Sequence, residues 1–431
     1  MTQRVYLHVG SPKSGTTYLQ RVLRHNQQRL ADQGVLVAGR THGDLVHAGF
    51  VVREDRRLAK LPERASRAWD RLVEEVRAFP GHSAIISYEL FSAARRRQAA
   101  QAIASLDGCE VHVVITCRDL GRAVPSAWQE RLKFALTVPL EEWRPPPESK
   151  GPRAEWGWRT MDPASVAQRW GADLPPEQVH IVTAPRRGAP PRVLWDRFAE
   201  ACSLQDVAVD LDVPLANESL GIAAAEVLRI VNEQDLGPIR GAREQSRWLR
   251  DTLAHRVLAP LDDEPMGITD AQLAEAEQRA RDAVATIRRS GWSVHGDLDD
   301  LSATRAEDAR MPSEVPAEEL LDVAVRAIVE LLLELREART PPAAGRATVA
   351  ATPPALRGSV VVDVAGRRSR PLIDALSERL DVLEKQLQEG RRLQERVAAL
   401  HDLVTELLVP ADHQDTELLT QALRAYRRDS L

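Results

Sequence analysis

Short apolar runs alternate with stretches of helical spacing through residues 1–201. The runs are rich in β-branched residues, whereas the stretches between them repeat apolar residues every three or four positions, which predicts strands that alternate with helices. The predicted strands are residues 4–9, 35–37, 83–88, 110–117 and 179–184, and the predicted helices are residues 18–30, 68–79, 95–106, 164–172 and 193–201. This order favours an α/β fold, in which helices cover both faces of a parallel sheet.

Beyond residue 201 the apolar spacing is helical only. Residues 220–289 show helical periodicity with breaks at Pro238 and around 260–267, which predicts a helical subdomain packed on the sheet. Residues 317–339 form a further predicted helix with a broad apolar stripe. We expect the subdomain to shape a substrate cleft.

A linker separates this part of the chain from a different C-terminal region. Residues 340–357 hold four prolines and no packing pattern, which is typical of an extended connector. After it, leucines and valines follow 4-3-4 spacing in two runs that differ by a three-residue slip near Gly390. This spacing fits either a coiled coil that joins copies of the chain into a homo-oligomer, or a helical hairpin. The predicted organisation is an α/β domain at 1–305 that includes the helical subdomain at about 220–290, a helical segment at 306–339, the linker at 340–357 and a helical C-terminal region at 358–431.

The charge balance argues against a partner that is captured by a chain-wide field. The 431 residues include 58 basic and 63 acidic side chains, for a net charge of −5. Such a chain lacks the positive excess that binds nucleic acid or anionic lipid. We therefore expect no nucleic-acid partner, and any anion site must be local.

Cysteine usage and hydropathy favour a cytoplasmic protein. The three cysteines are scattered, which fits neither a disulfide framework nor paired zinc ligands. The N-terminal apolar run is too short for a signal peptide, and no segment reaches the roughly 18 apolar residues that span a bilayer. We expect no transmembrane segment and no metal site.

Lysine is rare in this chain, so each lysine is worth inspecting. Only five of the 58 basic residues are lysines, and with abundant alanine this bias suggests a GC-rich bacterial genome. Lys13 stands in the middle of GSPKSGTT, residues 10–17, directly after the first predicted strand.

The segment at residues 10–17 has the composition of a phosphate-binding loop. A glycine-rich turn that leads from a strand into a helix presents backbone N–H groups and the positive end of the helix dipole. Lys13 adds a positive charge, and Thr16 and Thr17 add hydroxyl donors. We therefore expect an anionic ligand here.

The glycine spacing is that of a nucleotide P-loop, but the position of the lysine is different. Gly10 and Gly15 match the motif G-x-x-x-x-G-K-[ST], whereas Thr16 stands where the motif needs lysine. This difference disfavours an ATP- or GTP-hydrolysing site with Mg²⁺.

Residues 12–17, PKSGTT, resemble the phosphosulfate-binding loop of sulfotransferases and look most like bacterial members of that family. The resemblance covers roughly residues 1–200 and implies a P-loop-like sulfotransferase fold. It also implies 3′-phosphoadenosine 5′-phosphosulfate as co-substrate, with a lysine that stabilises the leaving phosphate oxygen. The donor-binding and catalytic residues that it implies in the loop are Lys13, Ser14, Gly15, Thr16 and Thr17.

The same family binds the 3′-phosphate of its donor with an arginine at the end of a strand and a serine eight residues later. Arg118 and Ser126 satisfy this spacing. Arg118 follows a predicted strand, and ligands of open α/β sheets bind beyond the carboxyl ends of strands. Pro125 is favoured at the first position of a helix, so we expect Ser126 in a first turn with free N–H groups.

Sulfuryl transfer to a hydroxyl benefits from a general base. The family uses a histidine at the end of the strand that precedes the arginine-bearing strand, or a glutamate in several carbohydrate-modifying members. The corresponding strand here leads to Glu89, which is the first candidate, and His42 and His47 are its competitors. A glutamate at this place suggests a sugar or glycolipid hydroxyl as the acceptor.

Three hypotheses are consistent with these motifs. A sulfotransferase that works by in-line transfer accounts for the loop and for the arginine and serine pair without a metal. A P-loop kinase or nucleotide hydrolase would need Mg²⁺ and would prefer ATP. A noncatalytic scaffold that retains the fold would be insensitive to substitution of Glu89, His42 or His47.

Overall fold

A computed structural model describes residues 2–146, 155–214, 219–306 and 309–339. Contacts within the chain divide it into two compact units, Met1–Ala344 and Gly345–Leu431. All described residues belong to the first unit. The predicted linker at 340–357 and the predicted C-terminal helical region lie outside the described residues.

One parallel sheet organises the first unit. Its strands are β1 (Arg4–Gly10), β2 (Val35–Val37), β3 (Ser83–Ser87), β4 (Glu110–Cys117), β5 (Val179–Thr183) and β6 (Ser293–His295). They lie in the order β2-β3-β1-β4-β5-β6, and every neighbouring pair is parallel. The predicted α/β fold with a parallel sheet is therefore confirmed.

Helices follow the strands and then form a separate cluster. The α-helices among the described residues are α1 (Thr16–His25), α2 (Gln27–Asp32), α3 (His42–Val52), α4 (Glu63–Ser66), α5 (Ala68–Ala78), α6 (Arg96–Ala104), α7 (Leu120–Leu132), α8 (Trp158–Met161), α9 (Pro163–Trp170), α10 (Pro191–Ala201), α11 (Ile222–Asn232), α12 (Gly241–Gln245), α13 (Asp270–Ser290) and α14 (Ala317–Arg339). A π-helical segment, Ser246–Leu258, follows α12. None of the described helices is long and apolar enough to cross a membrane.

Alternate residues of β1 supply the two faces of the sheet. Val5, Leu7 and Val9 pack in the core formed with α3, α5, α6 and α9. Tyr6 packs in the opposite core, formed with α1 and α10. Successive side chains of a strand point to opposite faces, so the burial of consecutive residues of β1 shows that helices cover this strand on both sides.

A second helical core lies beside the sheet. Trp128 of α7, Leu228 of α11 and Val257 of the π-helical segment are fully or almost fully buried in it, and Ala327 of α14 joins them. Because α7 follows β4 directly, this core lies next to the carboxyl end of β4. The predicted helical subdomain therefore lies next to the carboxyl end of β4, and α/β sheets generally bind their ligands at the carboxyl ends of their strands.

Two predictions about elements are wrong. The α/β pattern does not end at residue 201, because Ser293–His295 adds β6 parallel to β5. Unlike the apolar run at 35–37, this strand holds a single apolar residue, Val294, so it carries no strand pattern. The helix predicted at 18–30 is interrupted at Asn26, because its side-chain amide exchanges two hydrogen bonds, each 2.7 Å, with the backbone of Asp210.

Candidate functional site

The glycine loop joins β1 to α1 through a tightly curved backbone. The φ angle is positive at Gly10 (99°), Lys13 (63°) and Gly15 (87°). A Cβ at Gly10 would lie 2.5 Å from the backbone oxygen of Glu89, so a side chain at this position would collide with the chain that leaves β3. The loop therefore lies against the carboxyl ends of the central strands, where ligands of α/β sheets bind.

Lys13 is held through both its backbone and its side chain. Its carbonyl oxygen accepts a hydrogen bond from Nη1 of Arg118 at 2.8 Å. Its Nζ donates to Oε1 of Glu130 at 3.0 Å. These contacts offset the cost of about 1–2 kcal/mol for a left-handed backbone at a residue other than glycine.

Glu130 is shared by two lysines. Nζ of Lys133, a fully buried residue, donates to the same Oε1 at 2.8 Å. Burial alone would raise the pKa of Glu130, but the charges of Lys13 and Lys133 lower that pKa well below its usual range. The cluster is therefore an ionised carboxylate shared by two lysines, and it uses two of the five lysines of the chain. Sequence inspection did not single out Glu130 or Lys133.

A chain of buried polar side chains supports the loop from beneath. Nδ1 of His8 lies 2.7 Å from Oγ of Ser87, and Nε2 lies 3.0 Å from Oγ1 of Thr116. Oγ of Ser14 lies 2.7 Å from the same Oγ1 and donates to the carbonyl of Ser11 at 2.6 Å. Burial lowers the pKa of His8 to about 3, so the ring is neutral. Ser14 is one of the residues predicted to bind the co-substrate. Its hydroxyl is directed into the protein, where it fixes the loop.

A cleft of about 630 Å³ opens beyond the loop. Glu89 begins a short 3₁₀ turn after β3, and its Oε2 accepts a hydrogen bond from Nε2 of Gln20 at 2.7 Å. The cleft brings this carboxylate into the same space as the lysine, the hydroxyls and the N-terminus of α1. The predicted site residues that line it are Lys13, Gly15, Thr16, Thr17, Glu89 and His42.

The two candidate histidines occupy different places on α3. Thr41 caps this helix, and His42 is its first residue. The ring of His42 meets Tyr88 edge-on, with 6.1 Å between ring centroids, and lines the cleft. His47 is half-buried beside Phe50 and is not among the described residues that line the cleft. Of the two candidate histidines, His42 is therefore the one that lines the cleft beyond the loop.

Arg118 directly follows β4, but the helix after it begins earlier than expected. The carboxylate of Asp119 accepts hydrogen bonds from two backbone N–H groups and caps α7, which begins at Leu120. The prediction that Pro125 is the first helical residue is wrong, because this cap starts the helix five residues earlier and Pro125 lies inside it. Ser126 consequently lies in the second turn and offers its hydroxyl rather than a free terminal N–H.

A second cleft, of about 540 Å³, lies beside this connection. Asp119 and Arg122 line it together with Arg187 of the chain after β5. Burial and then the charge of Arg122 lower the pKa of Arg118 to about 9. Burial and the charge of Arg187 also lower the pKa of Arg122, and the carboxylate of Asp119 offsets part of the shift in both arginines. Within the described part of the chain, neither Arg122 nor Arg187 forms an ion pair. Crowded, partly buried cations of this kind are stabilised by an anion.

A chamber of about 720 Å³ lies beside the first cleft. Arg57, Phe134, Glu155 and Trp156 line both spaces, so the two are adjacent. The other residues that line the chamber include Arg131, Trp143 and Arg144.

The chain is similar to two solved structures and to one family model. It matches a crystal structure of a sulfotransferase from Alicyclobacillus acidocaldarius with 15% sequence identity and a TM-score of 0.34, over 50% of this chain and 87% of that chain. It matches a sulfotransferase domain from the curacin biosynthetic pathway with 11% identity and a TM-score of 0.29, over 64% of this chain and 97% of that chain. Residues 376–430 match a model described as Domain of unknown function (DUF6752). No curated protein sequence matches the chain.

Proposed function

We propose that the protein is a sulfotransferase that uses 3′-phosphoadenosine 5′-phosphosulfate as its donor. The observation that carries this proposal is the hydrogen bond from Arg118 to the carbonyl of Lys13. It brings two motifs that are 105 residues apart into contact at the carboxyl ends of β1 and β4. The loop suits the 5′-phosphosulfate, and the arginines suit a second phosphate of the same nucleotide.

The donor groups on the two sides of the site fit such a nucleotide. Lys13, Thr16 and Thr17 would hold the 5′ side together with the N-terminus of α1. Arg118 and the hydroxyl of Ser126 would hold the 3′-phosphate, beside the arginine-lined cleft. When bound, the donor supplies an activated sulfuryl group on a phosphate.

Glu89 is proposed as the general base. Its carboxylate would accept the proton of the acceptor hydroxyl as the oxygen attacks sulfur, while Lys13 would stabilise the phosphate oxygen from which the sulfuryl group departs. Gln20 fixes the Glu89 carboxylate toward α1. His42 and His47 are alternative bases, and His42 is favoured over His47 because it lines the cleft.

The adjacent chamber of about 720 Å³ is proposed as the acceptor side. A saccharide offers hydroxyls for transfer and apolar ring faces that pack on an aromatic side chain such as Trp156. Guanidinium groups such as that of Arg144 add donors for the remaining oxygens. A sugar or glycolipid hydroxyl is therefore the proposed acceptor.

The Lys13, Glu130 and Lys133 cluster is proposed to prepare Lys13 for this role. To reach the donor, the Lys13 ammonium must leave Glu130, and a buried carboxylate without a partner would cost about 3–5 kcal/mol. Lys133 remains on the same oxygen and keeps Glu130 paired. Lys133 therefore lowers the cost of transferring Lys13 from Glu130 to the donor.

Substitution of Lys13 tests the assignment. Lys13→Met should reduce the release of 3′-phosphoadenosine 5′-phosphate in the presence of saccharide acceptors by about 10²–10³, since it removes the cation on the leaving oxygen. Lys60→Met, at an exposed lysine on a different segment, is the matched control and should keep wild-type turnover. Turnover that needs ATP and Mg²⁺ instead would favour the kinase or hydrolase alternative, and equal activity of both variants would exclude the assignment of Lys13.

A further inference from the structure

Helix α14 has one apolar face that the fold already uses. Val323 and Ala327 are each 5% exposed and belong to the core beside the sheet. Leu320 and Ala324 pack partly buried against the same core. This face anchors α14 on α11 and on the π-helical segment.

A different face of α14 exposes large apolar side chains in a regular pattern. Their positions follow 4-3-4-3 spacing, which is the spacing of a coiled-coil seam. Burying such side chains would remove apolar surface from water, and contiguous exposed patches of this kind mark interaction surfaces. The seam consists of Leu321 (62% exposed), Val325 (50%), Ile328 (57%), Leu332 (51%) and Leu335 (48%).

Of the eight large apolar side chains that are exposed on the described part of α14, six are arranged symmetrically about one residue. Counted from Glu330, apolar side chains stand one, two and five positions away in both directions. An antiparallel pair of identical helices relates position 330 − n of one helix to position 330 + n of the other, so at these six positions an apolar side chain meets an apolar side chain. The three pairs are Val329 with Leu331, Ile328 with Leu332, and Val325 with Leu335.

We propose that this face is an interface with a second copy of the chain, in which two α14 helices pack antiparallel about a two-fold axis near Glu330. The charges at the edges of the seam fit the same arrangement. Asp322 lies eight positions before Glu330 and Arg336 lies six positions after it, so Asp322 of each copy comes close to Arg336 of the second copy. Self-complementarity of this kind is what a two-fold interface requires.

The molar mass of the full chain tests the interface. Light scattering at micromolar concentrations should give a dimer for the wild type, and Ile328→Glu should give a monomer because it places a charge in the seam. Leu333→Glu introduces the same side chain at an exposed position outside the seam and should leave the dimer intact. A monomeric wild type would overturn the proposal. This is also the result expected if residues beyond 344 of the same chain covered the seam.

Charge reversal provides a second test that leaves the apolar residues untouched. Asp322→Arg alone and Arg336→Asp alone should each weaken the dimer by about tenfold or more, since each sets like charges against each other. An equimolar mixture of the two variants pairs opposite charges at both ends and should recover wild-type dimer. Recovery in the mixture would support antiparallel pairing in trans, and equal weakness of the mixture and of the single variants would contradict it.

Discussion

Nζ of Lys13 and Oε1 of Glu130 lie 3.0 Å apart, although 117 residues separate them in sequence. Lys133 stands three residues after Glu130, so adjacent turns at the end of α7 present the carboxylate and its second cation together. The loop lysine thus lies on a carboxylate that stays paired when Lys13 moves. This relationship connects the glycine loop to the helix that follows Arg118.

Removing Lys133 should trap Lys13 on Glu130. In Lys133→Met, Lys13 becomes the remaining lysine on a buried carboxylate. Movement of Lys13 to the donor would then leave Glu130 without a partner, which should weaken binding of 3′-phosphoadenosine 5′-phosphate by about tenfold or more. Calorimetric titration measures this loss, and thermal unfolding checks that the variant folds.

The double variant Glu130→Gln with Lys133→Met separates positioning from a merely structural role. With no carboxylate to retain it, Lys13 is released, so donor affinity should return toward the wild-type value. Additive or greater loss of affinity in the double variant would contradict the proposed role of Lys133.

Arg118 should matter more for donor binding than Ser126. Arg118→Ala removes a charged phosphate contact and the hydrogen bond to the carbonyl of Lys13, at an expected cost of about 2–5 kcal/mol in binding of 3′-phosphoadenosine 5′-phosphate. Ser126→Ala removes one hydroxyl in the second turn of α7, at an expected cost of about 0.5–1.5 kcal/mol. Arg96→Ala, at an exposed arginine paired with Asp173, is the control. The same calorimetric titration compares the loss of affinity in the three variants. A larger loss in Ser126→Ala than in Arg118→Ala would contradict the proposed roles.

Glu89→Gln should remove catalysis while donor binding persists. The amide keeps the size of the side chain but cannot accept the proton, so turnover should fall by about 10²–10⁴. If His42→Ala rather than Glu89→Gln removes turnover while donor binding persists, the base is His42.

Stability should decrease as the pH falls below neutrality, because His8 is buried and neutral. The folded state holds the pKa of His8 at about 3, below the ordinary value of 6.5, so between these values the unfolded state binds one more proton. A depressed histidine pKa therefore contributes stability above pH 6.5 that is lost by about 1.4 kcal/mol per pH unit as the pH falls toward 3. Urea unfolding at pH 7.5 and 5.5 measures the slope, and His8→Gln should reduce it. An unchanged slope in that variant would assign the dependence to other groups, such as the similarly shifted His180.

The core strands and the loop were predictable from sequence because their signals are local. A strand such as 110–117 is rich in β-branched residues, and the glycines and Lys13 of the loop directly follow the first strand. Contacts between residues that are distant in sequence could not be predicted from local signals. Glu130 reaches Lys13 only because β4 lies beside β1 in the sheet, and no spacing rule connects positions 13 and 130.

Local rules also failed where a longer-range contact overrode them. Pro125 favours a helix start, but Asp119 already caps the helix and is itself held by Thr304, a residue from a distant part of the chain. The rarity of lysine in this chain was the one sequence signal that could have pointed to Lys133.

The most direct test of the proposed function is calorimetric titration of the full chain with 3′-phosphoadenosine 5′-phosphate, with ATP plus Mg²⁺ in parallel. The account predicts micromolar binding of the bisphosphate, weakened strongly in Arg118→Ala, and weak or no binding of ATP. Binding of ATP alone, or of neither nucleotide, would contradict it.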